Sequence, residues 1–497
     1  MNILDTLNTI STDQSHAFRT KQDVVSALMI AWAYEEPERI GDVALLGPTS
    51  KEPWVLGRGP AGSSSQLGLY RQRPGRNLPT GPLRSQRISR AQLHILVSDD
   101  TLEIDNVGRR TMLVNGRECT RAQVRSGDVI ELRNQMLFLV TQRPMQLPAL
   151  DLPPLLMPRF GEPDAFGMVG ESPTMWTLRS HVGFAAARRA HVLVQGASGT
   201  GKELVARAIH GLSGRHERDL VARNAATIPD SLVDAELFGN AKNYPNPGMA
   251  ERDGLIGAAD CSTLFLDEIG ELSHEMQAHL LRVLDQGEYQ RLGEARMRRA
   301  DIRLIAATNR TAATLKHDFL ARLTLRLSVP GLGQRRDDIP LLVRYLLRRI
   351  AAADPQMATR FFTDGDADRL PRISPTFLCR LLRAPYATHV RELEALLWQS
   401  MFESQDGRLE SVELATAPPP QTTEESEPVR DVDPASLSPE EIQTALDQAD
   451  GVQEQAWRAL GLRNRYQLIR LIKKHGLTTG RGRAGRAESE VVPAPES

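Results

Sequence analysis

The sequence predicts a multidomain protein with an N-terminal β-sandwich, a central α/β P-loop domain and a C-terminal all-α helix-turn-helix unit. Short apolar β segments dominate residues 27–142, strand and helix patterns alternate over 160–410, and two helical patterns occupy 438–476. A proline-rich stretch at 144–158 and an acidic stretch at 415–438 lie between them and predict linkers. A chain of 497 residues is long enough for about three domains of ordinary size.

Five short β segments carry the prediction of a sandwich. Turn residues separate them at the spacing that is typical of two packed antiparallel sheets. The segments are residues 54–56, 93–97, 112–114, 129–132 and 136–140.

The central domain contains a predicted phosphate-binding loop. An apolar strand at 191–195 runs directly into Gly196, Ala197, Ser198, Gly199, Thr200, Gly201, Lys202 and Glu203. Glycines let backbone N–H groups turn toward phosphate oxygens, and the lysine reaches the β- and γ-phosphates. A second apolar strand ends in Asp267 and Glu268, and in P-loop enzymes the first such acid holds Mg²⁺ while the next positions the attacking water. The two motifs together predict that the chain binds and hydrolyses ATP with Mg²⁺.

Composition excludes several other classes of function. The formal net charge is −1, so no overall field draws the chain to nucleic acid or membrane, and any basic surface must be local. The three cysteines lack the spacing of a metal site or a disulfide framework, which fits a reducing cytosol. No signal peptide is evident, and the apolar stretches are too short to cross a bilayer. We therefore expect a cytoplasmic protein with no membrane partner.

The order of motifs across 168–410 extends this prediction. The matching strings are residues 168–172, 196–203, 224–226, 236–239, 264–268, 307–309, 335–340 and 390–393. Their combination resembles the AAA+ domain of bacterial enhancer-binding proteins, the activators of sigma-54 RNA polymerase. That family also has glutamate where Glu203 replaces the serine or threonine of many P-loops. The resemblance implies a helical lid, a homo-oligomeric ring, and sigma-54 holoenzyme as a partner. Whether the ring is a hexamer or a heptamer stays open.

The resemblance also implies roles for single residues. Lys202 would bind phosphate, Asp267 would hold Mg²⁺, and Glu268 would polarise water. Asn224 corresponds to a switch residue that can hydrogen-bond the glutamate and hold it away from the water. Asn309 would sense the γ-phosphate, and Arg391 would act as the second sensor, from the lid.

An arginine from a neighbouring subunit completes such sites by stabilising charge on the transferring phosphoryl group. Alignment on Asp318 assigns this role to Arg322 and places Lys316 in the first arginine position of the family string. A lysine keeps the charge but loses the planar fork of a guanidinium. Arg326 is the alternative under a shifted alignment.

The largest departure from the family lies between Gly239 and Gly254. Family activators carry a Gly-Ala-Phe-Thr-Gly-Ala loop there, which touches the sigma factor. This chain has Asn-Tyr-Pro-Asn-Pro-Gly at 243–248, where Pro245 and Pro247 each fix φ and remove a backbone donor. Tyr244 is a candidate replacement for the missing phenylalanine, but the family's sigma-54 contact cannot be transferred to these positions.

The N-terminal segment has loop residues suited to phosphate. They are 57–58, 89–90, 114–116 and 127–128. They resemble the motifs of a forkhead-associated (FHA) domain, which binds phosphothreonine peptides; Arg58, Ser89 and Arg110 would supply donors to the phosphate. Gln92 stands at the usual histidine position and Arg110 at that of a peptide-binding asparagine. A phosphothreonine protein partner and a sandwich kept only for protein contacts therefore remain equal alternatives.

The C-terminal segment combines two helical patterns with a glycine between them. Leu468, Leu471 and Ile472 form one apolar face, while basic residues outnumber acidic ones across 452–476. The segment resembles the Fis-type helix-turn-helix that ends the same activator family, and a solvated basic helix is the alternative. Duplex DNA is the implied partner, with base contacts from the helix start and phosphate contacts from its end. The residues concerned are Arg463, Asn464, Arg465, Lys473 and Lys474.

Two functions remain open from the sequence. The first is an ATP-dependent transcription regulator that binds DNA and couples hydrolysis to sigma-54 polymerase activation under FHA-sensed phosphorylation. The second is a DNA-bound, phosphopeptide-reading regulator that does not activate sigma-54, because the loop at 243–248 is altered.

Overall fold

The computed structural model describes residues 24–47, 52–59, 65–98, 101–366, 370–410, 437–448, 456–457, 460, 462, 465–475 and 477. The chain divides into two compact units, Met1–Leu414 and Ala415–Ser497, and each is described by itself. Arg463, Asn464 and the side chain of Arg465, which the sequence predicts to contact bases, lie outside the described residues. Within the described residues, no helix is long and apolar enough to cross a membrane.

The first part of the larger unit is a β-rich region, as the sequence predicts. Twelve strands are present among its described residues, and they include all five predicted segments. The strands are β1 Val24–Ala33, β2 Val43–Leu46, β3 Trp54–Leu56, β4 Leu69–Arg73, β5 Arg76–Pro79, β6 Leu93–Ser98, β7 Thr101–Asn106, β8 Met112–Val114, β9 Arg117–Cys119, β10 Arg121–Arg125, β11 Val129–Leu132 and β12 Met136–Pro144. They form two antiparallel sheets, in the orders β5-β4-β2-β1-β12-β11-β8-β9 and β10-β7-β6-β3.

Strand β1 shows that the larger sheet of the sandwich is buried on both faces. Its residues from Val25 to Ala33 are buried apart from half-buried Trp32. Leu28 and Ile30 pack in the core between the two sheets, whereas Ala27 and Met29 pack in a second core on the opposite face. Because successive side chains of a strand point to opposite faces, a run buried on both sides means that the sheet is covered on both sides.

The second part of the larger unit is an α/β domain around a parallel sheet. Its strands are β13 Val192–Gln195, β14 Val221–Asn224, β15 Thr263–Asp267, β18 Arg303–Thr308 and β19 Leu325–Ser328, with a small hairpin of β16 Glu288–Tyr289 and β17 Arg298–Arg299. The sheet order β14-β15-β18-β13-β19 places β13, which leads into the predicted loop, between two parallel neighbours. Ligands of such sheets bind at the carboxyl ends of the strands, where the loop and the two acids also lie.

Helices cover this sheet and extend beyond it. Those around the sheet are α1 Pro173–Ala186, α2 Lys202–Gly211, α3 Val233–Phe238, α4 Gly254–Ala258, α5 His274–Gln286 and α6 His317–Arg322. The remaining four, which we call the lid, are α7 Ile339–Ala353, α8 Pro355–Phe361, α9 Pro375–Arg383 and α10 His389–Glu403. Ser172, Ser273 and Ser374 accept backbone N–H groups at the first turns of α1, α5 and α9, as N-cap residues do.

The sandwich and the lid share one hydrophobic core. Ala27, Met29, Val129 and Leu139 of the sandwich pack in the same cluster as Leu346 and other residues of the lid. The proline-rich stretch at 144–158, which its composition predicts to be a stiff, extended linker, also packs against the protein. Leu147 is 3% exposed and Leu156 is fully buried, so apolar side chains among the prolines tie the stretch to the domains it connects.

The smaller unit contains two helices among its described residues, α11 Pro439–Gln448 and α12 Arg465–His475. Ile442 and Leu446 of α11 form a small core with Leu468 and Leu471 of α12, and Ile472 packs against it. The apolar face that the sequence predicts on the second helix therefore points inward. Lys473 and Lys474 are exposed.

Candidate functional site

The loop after β13 surrounds the lysine that the sequence identifies. Gly199 and Gly201 have φ of +76° and +102°, a left-handed region that side chains disfavour. The Lys202 Nζ donates to the carbonyl oxygens of Gly196 at 3.1 Å and Ala197 at 3.4 Å. Lys202 starts α2, so the helix N-terminus and the lysine both point at the place where phosphate would lie.

Two carboxylates face this loop from the end of β15. Glu268 Oε1 lies 3.6 Å from Lys202 Nζ, and Glu268 itself has a left-handed φ of +51°. Burial raises the pKa of Asp267, and the charge of Lys202 opposes the shift. A half-buried carboxylate with its pKa raised in this way suits a divalent cation, which would restore its charge.

A Mg²⁺ ion would depend on few protein ligands. Among the described residues, no group of three or more histidine, cysteine, aspartate or glutamate side chains could hold a metal. Glu203 pairs with Arg207 at 2.6 Å on the outside of α2. Asp267 is thus the residue that fits the ion, with the nucleotide phosphates and water supplying the other oxygens.

Asn224 and Asn309 lie on either side of the two acids. The Asn309 N–H donates to Glu268 Oε2 at 3.2 Å, which links the predicted phosphate sensor to the predicted base. Asn224 lines the same cavity, but its Oδ1 accepts the Ala226 N–H at 2.9 Å. The switch contact from Asn224 to Glu268 is thus not among the contacts of the described side chains.

The lid closes the site from above. Arg391 Nη1 donates to Ser198 Oγ at 3.1 Å, which places the predicted second sensor on the loop. The Val390 N–H donates to Gly199 O at 3.2 Å, and a Cβ on Gly199 would lie 2.1 Å from Thr388 O. Glycine at 199 is therefore required for the lid to approach the loop this closely.

The cavity has a volume of about 450 Å³, and sequence analysis missed several of its lining residues. They include Met175, Arg335, Tyr345, Arg349 and Glu394. Arg335 is 4% exposed, and burial lowers the pKa of its guanidinium while Asp338 opposes that shift. Arg335 begins the string at 335–340 that resembles a motif of the activator family, and that string is the signal that could have identified it.

A buried ion network connects the cavity to the sandwich. Asp338 Oδ1 accepts the N–H groups of Glu171 and Ser172 at 2.7 and 2.9 Å. Arg143 of β12 bonds Asp337 Oδ2 at 2.5 Å, and Arg73 of β4 bonds Glu171 Oε1 at 2.8 Å. We call these ion pairs, together with the shared core, the seam.

Burial sets the protonation of the seam. It raises the pKa of Asp338 to about 6, with neighbouring Asp337 adding to the shift and Arg335 opposing it. Burial also raises the pKa of Glu171, against the charge of Arg73. Gly170, with φ of +144°, lies so close to Asp338 that a Cβ would meet Oδ2 at 2.6 Å.

The predicted finger Arg322 does not lie in the cavity of its own chain. It is half exposed on α6 and pairs with Asp285, with Nη2 3.0 Å from Oδ2. Its alternative, Arg326, is exposed on β19. Neither is among the described residues that line the cavity, so either would have to act on another subunit.

The predicted phosphate-binding loops meet at one end of the sandwich. The Arg58 N–H donates to Ser89 O at 3.1 Å, and Arg110 Nη2 donates to Arg87 O at 3.4 Å. Ser89 Oγ accepts the Arg109 N–H at 3.0 Å. Gln92 is fully buried beneath them and bonds Asn106 Oδ1 at 2.7 Å, so it supports the loops.

The altered loop at 243–248 is held to the domain. Asn240 is 2% exposed, and its Nδ2 donates to Ala241 O and Ala250 O, each at 3.0 Å. Tyr244 is 41% exposed and packs on Gly293, where a Cβ would meet its ring at 2.4 Å. The aromatic side chain is therefore partly engaged by its own domain.

Comparison with known proteins identifies the central domain. Residues 168–332 match the model of the Sigma-54 interaction domain. The transcriptional regulatory protein ZraR of Escherichia coli K12 is 37% identical over 315 residues, covering 62% of this chain and 68% of that protein. The Nif-specific regulatory protein of Klebsiella pneumoniae is 34% identical over 371 residues, covering 71% and 68%. The crystal structure of NtrX from Brucella abortus in complex with ADP is 27% identical, covers 63% of this chain and 70% of that one, and has a TM-score of 0.44.

Proposed function

Because this chain belongs to the family of sigma-54-dependent transcriptional regulators, we propose that it hydrolyses ATP to activate sigma-54 RNA polymerase. The observation that supports this proposal is the convergence of Lys202, Glu268 and Arg391 on one cavity. These groups come from the loop, a strand end and the lid, and their charges match the parts of a phosphoryl-transfer site.

The geometry gives each group a task. Lys202 would bind the β- and γ-phosphates, and its move from Glu268 to a phosphate would release the carboxylate. Glu268 would then orient a water for in-line attack, and the Asn309 N–H holds it in place. Mg²⁺ at Asp267 would neutralise charge that develops on the phosphates.

The test is open-complex formation on a sigma-54 promoter. We expect purified protein, polymerase and promoter DNA to give heparin-resistant complexes with ATP but not with a non-hydrolysable analogue. Glu268→Gln is the matched control, because it should bind ATP without turnover. ATP hydrolysis at a normal rate with no open complexes would reject the polymerase target and leave the ATPase intact.

That outcome would favour the second candidate, a DNA-bound regulator whose ATPase controls only assembly. Its support is the loop at 243–248, where Tyr244 rests on Gly293 and two prolines replace flexible residues. Tyr244→Phe and Tyr244→Ala distinguish the candidates further. If Tyr244 touches the sigma factor, the alanine variant loses open complexes while the phenylalanine variant keeps them, with ATP turnover equal in both.

We further propose that the arginine-rich end of the sandwich binds a phosphothreonine peptide. Arg58 is exposed beside Ser89, and Arg110 lies on the same side. Charge-assisted bonds to an anion contribute about 1.5–3 kcal/mol each, so a phosphopeptide should bind more than roughly tenfold tighter than its unphosphorylated form.

Calorimetry of the full chain with a phosphothreonine peptide library and its dephosphorylated counterpart tests this. Arg58→Ala should remove the preference. Arg125→Ala is the matched control, because Arg125 pairs with Thr101 at the other end of β7. Equal affinity for both pools would leave the sandwich as a protein-contact module.

DNA binding by the smaller unit is the third part of the proposal. Exposed Lys473 and Lys474 near the end of α12 suit phosphate contacts. Replacing both with alanine should weaken binding to all duplex sequences alike and lower the salt slope by about one unit per lost contact. Unchanged affinity after removal of 438–497 would reject this role.

A further inference from the structure

A second cavity, of about 570 Å³, lies where the sandwich meets the lid. It shares no described lining residue with the nucleotide cavity. Apolar side chains from both partners line it, and they include Trp32 and Ile40 from the sandwich with Val343 and Ile373 from the lid segment. Its volume is within the range of pockets that bind small molecules.

Three arginines are among the residues that line the same cavity: Arg344, Arg372 and Arg408. The Nε of Arg344 is buried and has no hydrogen-bond partner among the described residues. Arg372 forms no ion pair within the described part of the chain, whereas Arg408 pairs with Glu410 at 3.3 Å. None of the described lining residues is acidic.

The charged groups near Arg344 include Arg348 and Glu162. Burial and the nearby charge of Arg348 lower the pKa of Arg344, and Glu162 opposes that shift. Glu162, however, already pairs with Arg348 at 3.1 Å. Arg344 itself forms no ion pair within the described part of the chain, so an anion in the cavity would meet a guanidinium that no carboxylate neutralises directly.

We propose that this cavity binds a small organic anion with an apolar ring system. Its anionic group would lie against Arg344 and Arg372, and its rings would pack on Trp32 and Ile40. A simple inorganic anion would leave the apolar wall in water, and a neutral ring compound would leave the guanidinium groups without a partner. The combination therefore selects a ligand that has both parts, such as an aromatic carboxylate.

The position of the cavity beside α7 connects ligand binding there to the nucleotide cavity. Pro340 and Val343, on its wall, lie in the first turns of α7. Asp338 immediately precedes α7 and accepts the N–H groups of Glu171 and Ser172 beside the nucleotide cavity. A ligand that favours one position of α7 would thus change nucleotide affinity.

Calorimetry of the full chain with 2-naphthoate tests the proposal. We expect saturable binding with one site per chain, and affinities at least about tenfold lower for neutral 2-naphthamide and for acetate. Arg344→Met and Arg372→Met should each weaken naphthoate binding several-fold, because methionine keeps apolar volume and loses the charge. Arg380→Met is the matched control, since Arg380 is exposed on α9 outside the lining.

Three results would overturn the proposal: no saturable naphthoate binding at millimolar concentration, equal affinity for the acid and the amide, or no effect of the arginine substitutions. Arg344 is half-buried, so thermal unfolding of its variant is measured alongside. Arg372 is exposed, and its variant keeps the test decisive if the Arg344 variant does not fold.

Discussion

The seam and the nucleotide cavity are both rich in charge, but they place that charge differently. In the seam, Arg143 is 2% exposed and bonds a buried aspartate, and Asp338 accepts two N–H groups and a hydroxyl. In the cavity, Lys202 and Glu268 are 3.6 Å apart, and Asp267 accepts only the N–H of its neighbour among the described contacts.

The number of close partners distinguishes charged side chains that stabilise the fold from charged side chains that act on a ligand. Seam charges have several close partners inside the chain, so removing one leaves another buried without compensation. In the cavity, the side chains of Lys202, Asp267 and Glu268 have only weak partners inside the chain, and a nucleotide and its metal would complete them. Substitutions in the seam should therefore reduce stability first, and substitutions in the cavity should reduce ATP turnover first.

The largest expected effect on ATP turnover comes from Arg322, an arginine that does not line the nucleotide cavity of its own chain. If Arg322 acts on the neighbouring subunit, Arg322→Ala should reduce turnover on the order of 10³-fold, because an arginine finger supplies that much. Mixing Arg322→Ala with Glu268→Gln subunits should partly restore hydrolysis, since some interfaces then have both intact groups. Steady-state ATPase assays across mixing ratios measure this, with Arg326→Ala as the comparison.

Two results would contradict the assignment to Arg322. One is the absence of rescue at every ratio while light scattering reports intact oligomers. The other is recovery of ATP hydrolysis when Glu268→Gln subunits are mixed with Arg326→Ala subunits but not with Arg322→Ala subunits. That result would support the shifted alignment.

The seam makes the next largest prediction. Arg143→Met should lower the free energy of unfolding by about 3–5 kcal/mol, because it leaves the Asp337 carboxylate buried and unpaired. Arg121→Met is the control: its pair with Asp105 is 70% and 41% exposed and should contribute less than about 1 kcal/mol. Denaturant unfolding of both variants measures these changes. Equal losses of unfolding free energy in the two variants would show that the seam ion pair contributes no more than a surface pair.

A pH dependence gives the smallest of these effects. The pKa of Asp338 is raised to about 6, so the folded protein binds a proton that the unfolded chain releases near pH 4. Its contribution to stability is therefore fully present below pH 4 and is lost as pH rises through 6. Relative to Asp338→Asn, which cannot titrate, the wild type should lose roughly 1–3 kcal/mol between pH 4.5 and 7. A difference independent of pH would contradict the raised pKa.

The sequence predicts correctly those parts of the site whose residues lie within short, continuous motifs. The glycine loop follows its strand directly, and the acids end another strand, so the fold of a P-loop domain and the position of Lys202 beside Glu268 follow from short motifs. The AAA+ fold of the central domain is confirmed. Tyr345 and Arg349 were missed because they reach the cavity from α7 of the lid, and no local pattern specifies how the lid packs.

The seam could not be predicted for a related reason. Strand β1 reads as a continuous apolar run, which indicates burial on both faces but not the identity of the covering element. The pairing of Arg143 with Asp337 joins residues 194 positions apart. The prolines at 144–158 suggested separation, whereas Leu147 and Leu156 among them are buried.

ATP turnover by Glu268→Gln, measured with ATP affinity and unfolding temperature on the same preparation, tests the separation of functional from structural charge most directly. We expect turnover to fall by about 100-fold or more while ATP binding and thermal stability stay close to those of the wild type. Undiminished turnover would remove Glu268 from its role as base. A large loss of stability would place its charge among the structural ones and contradict the account.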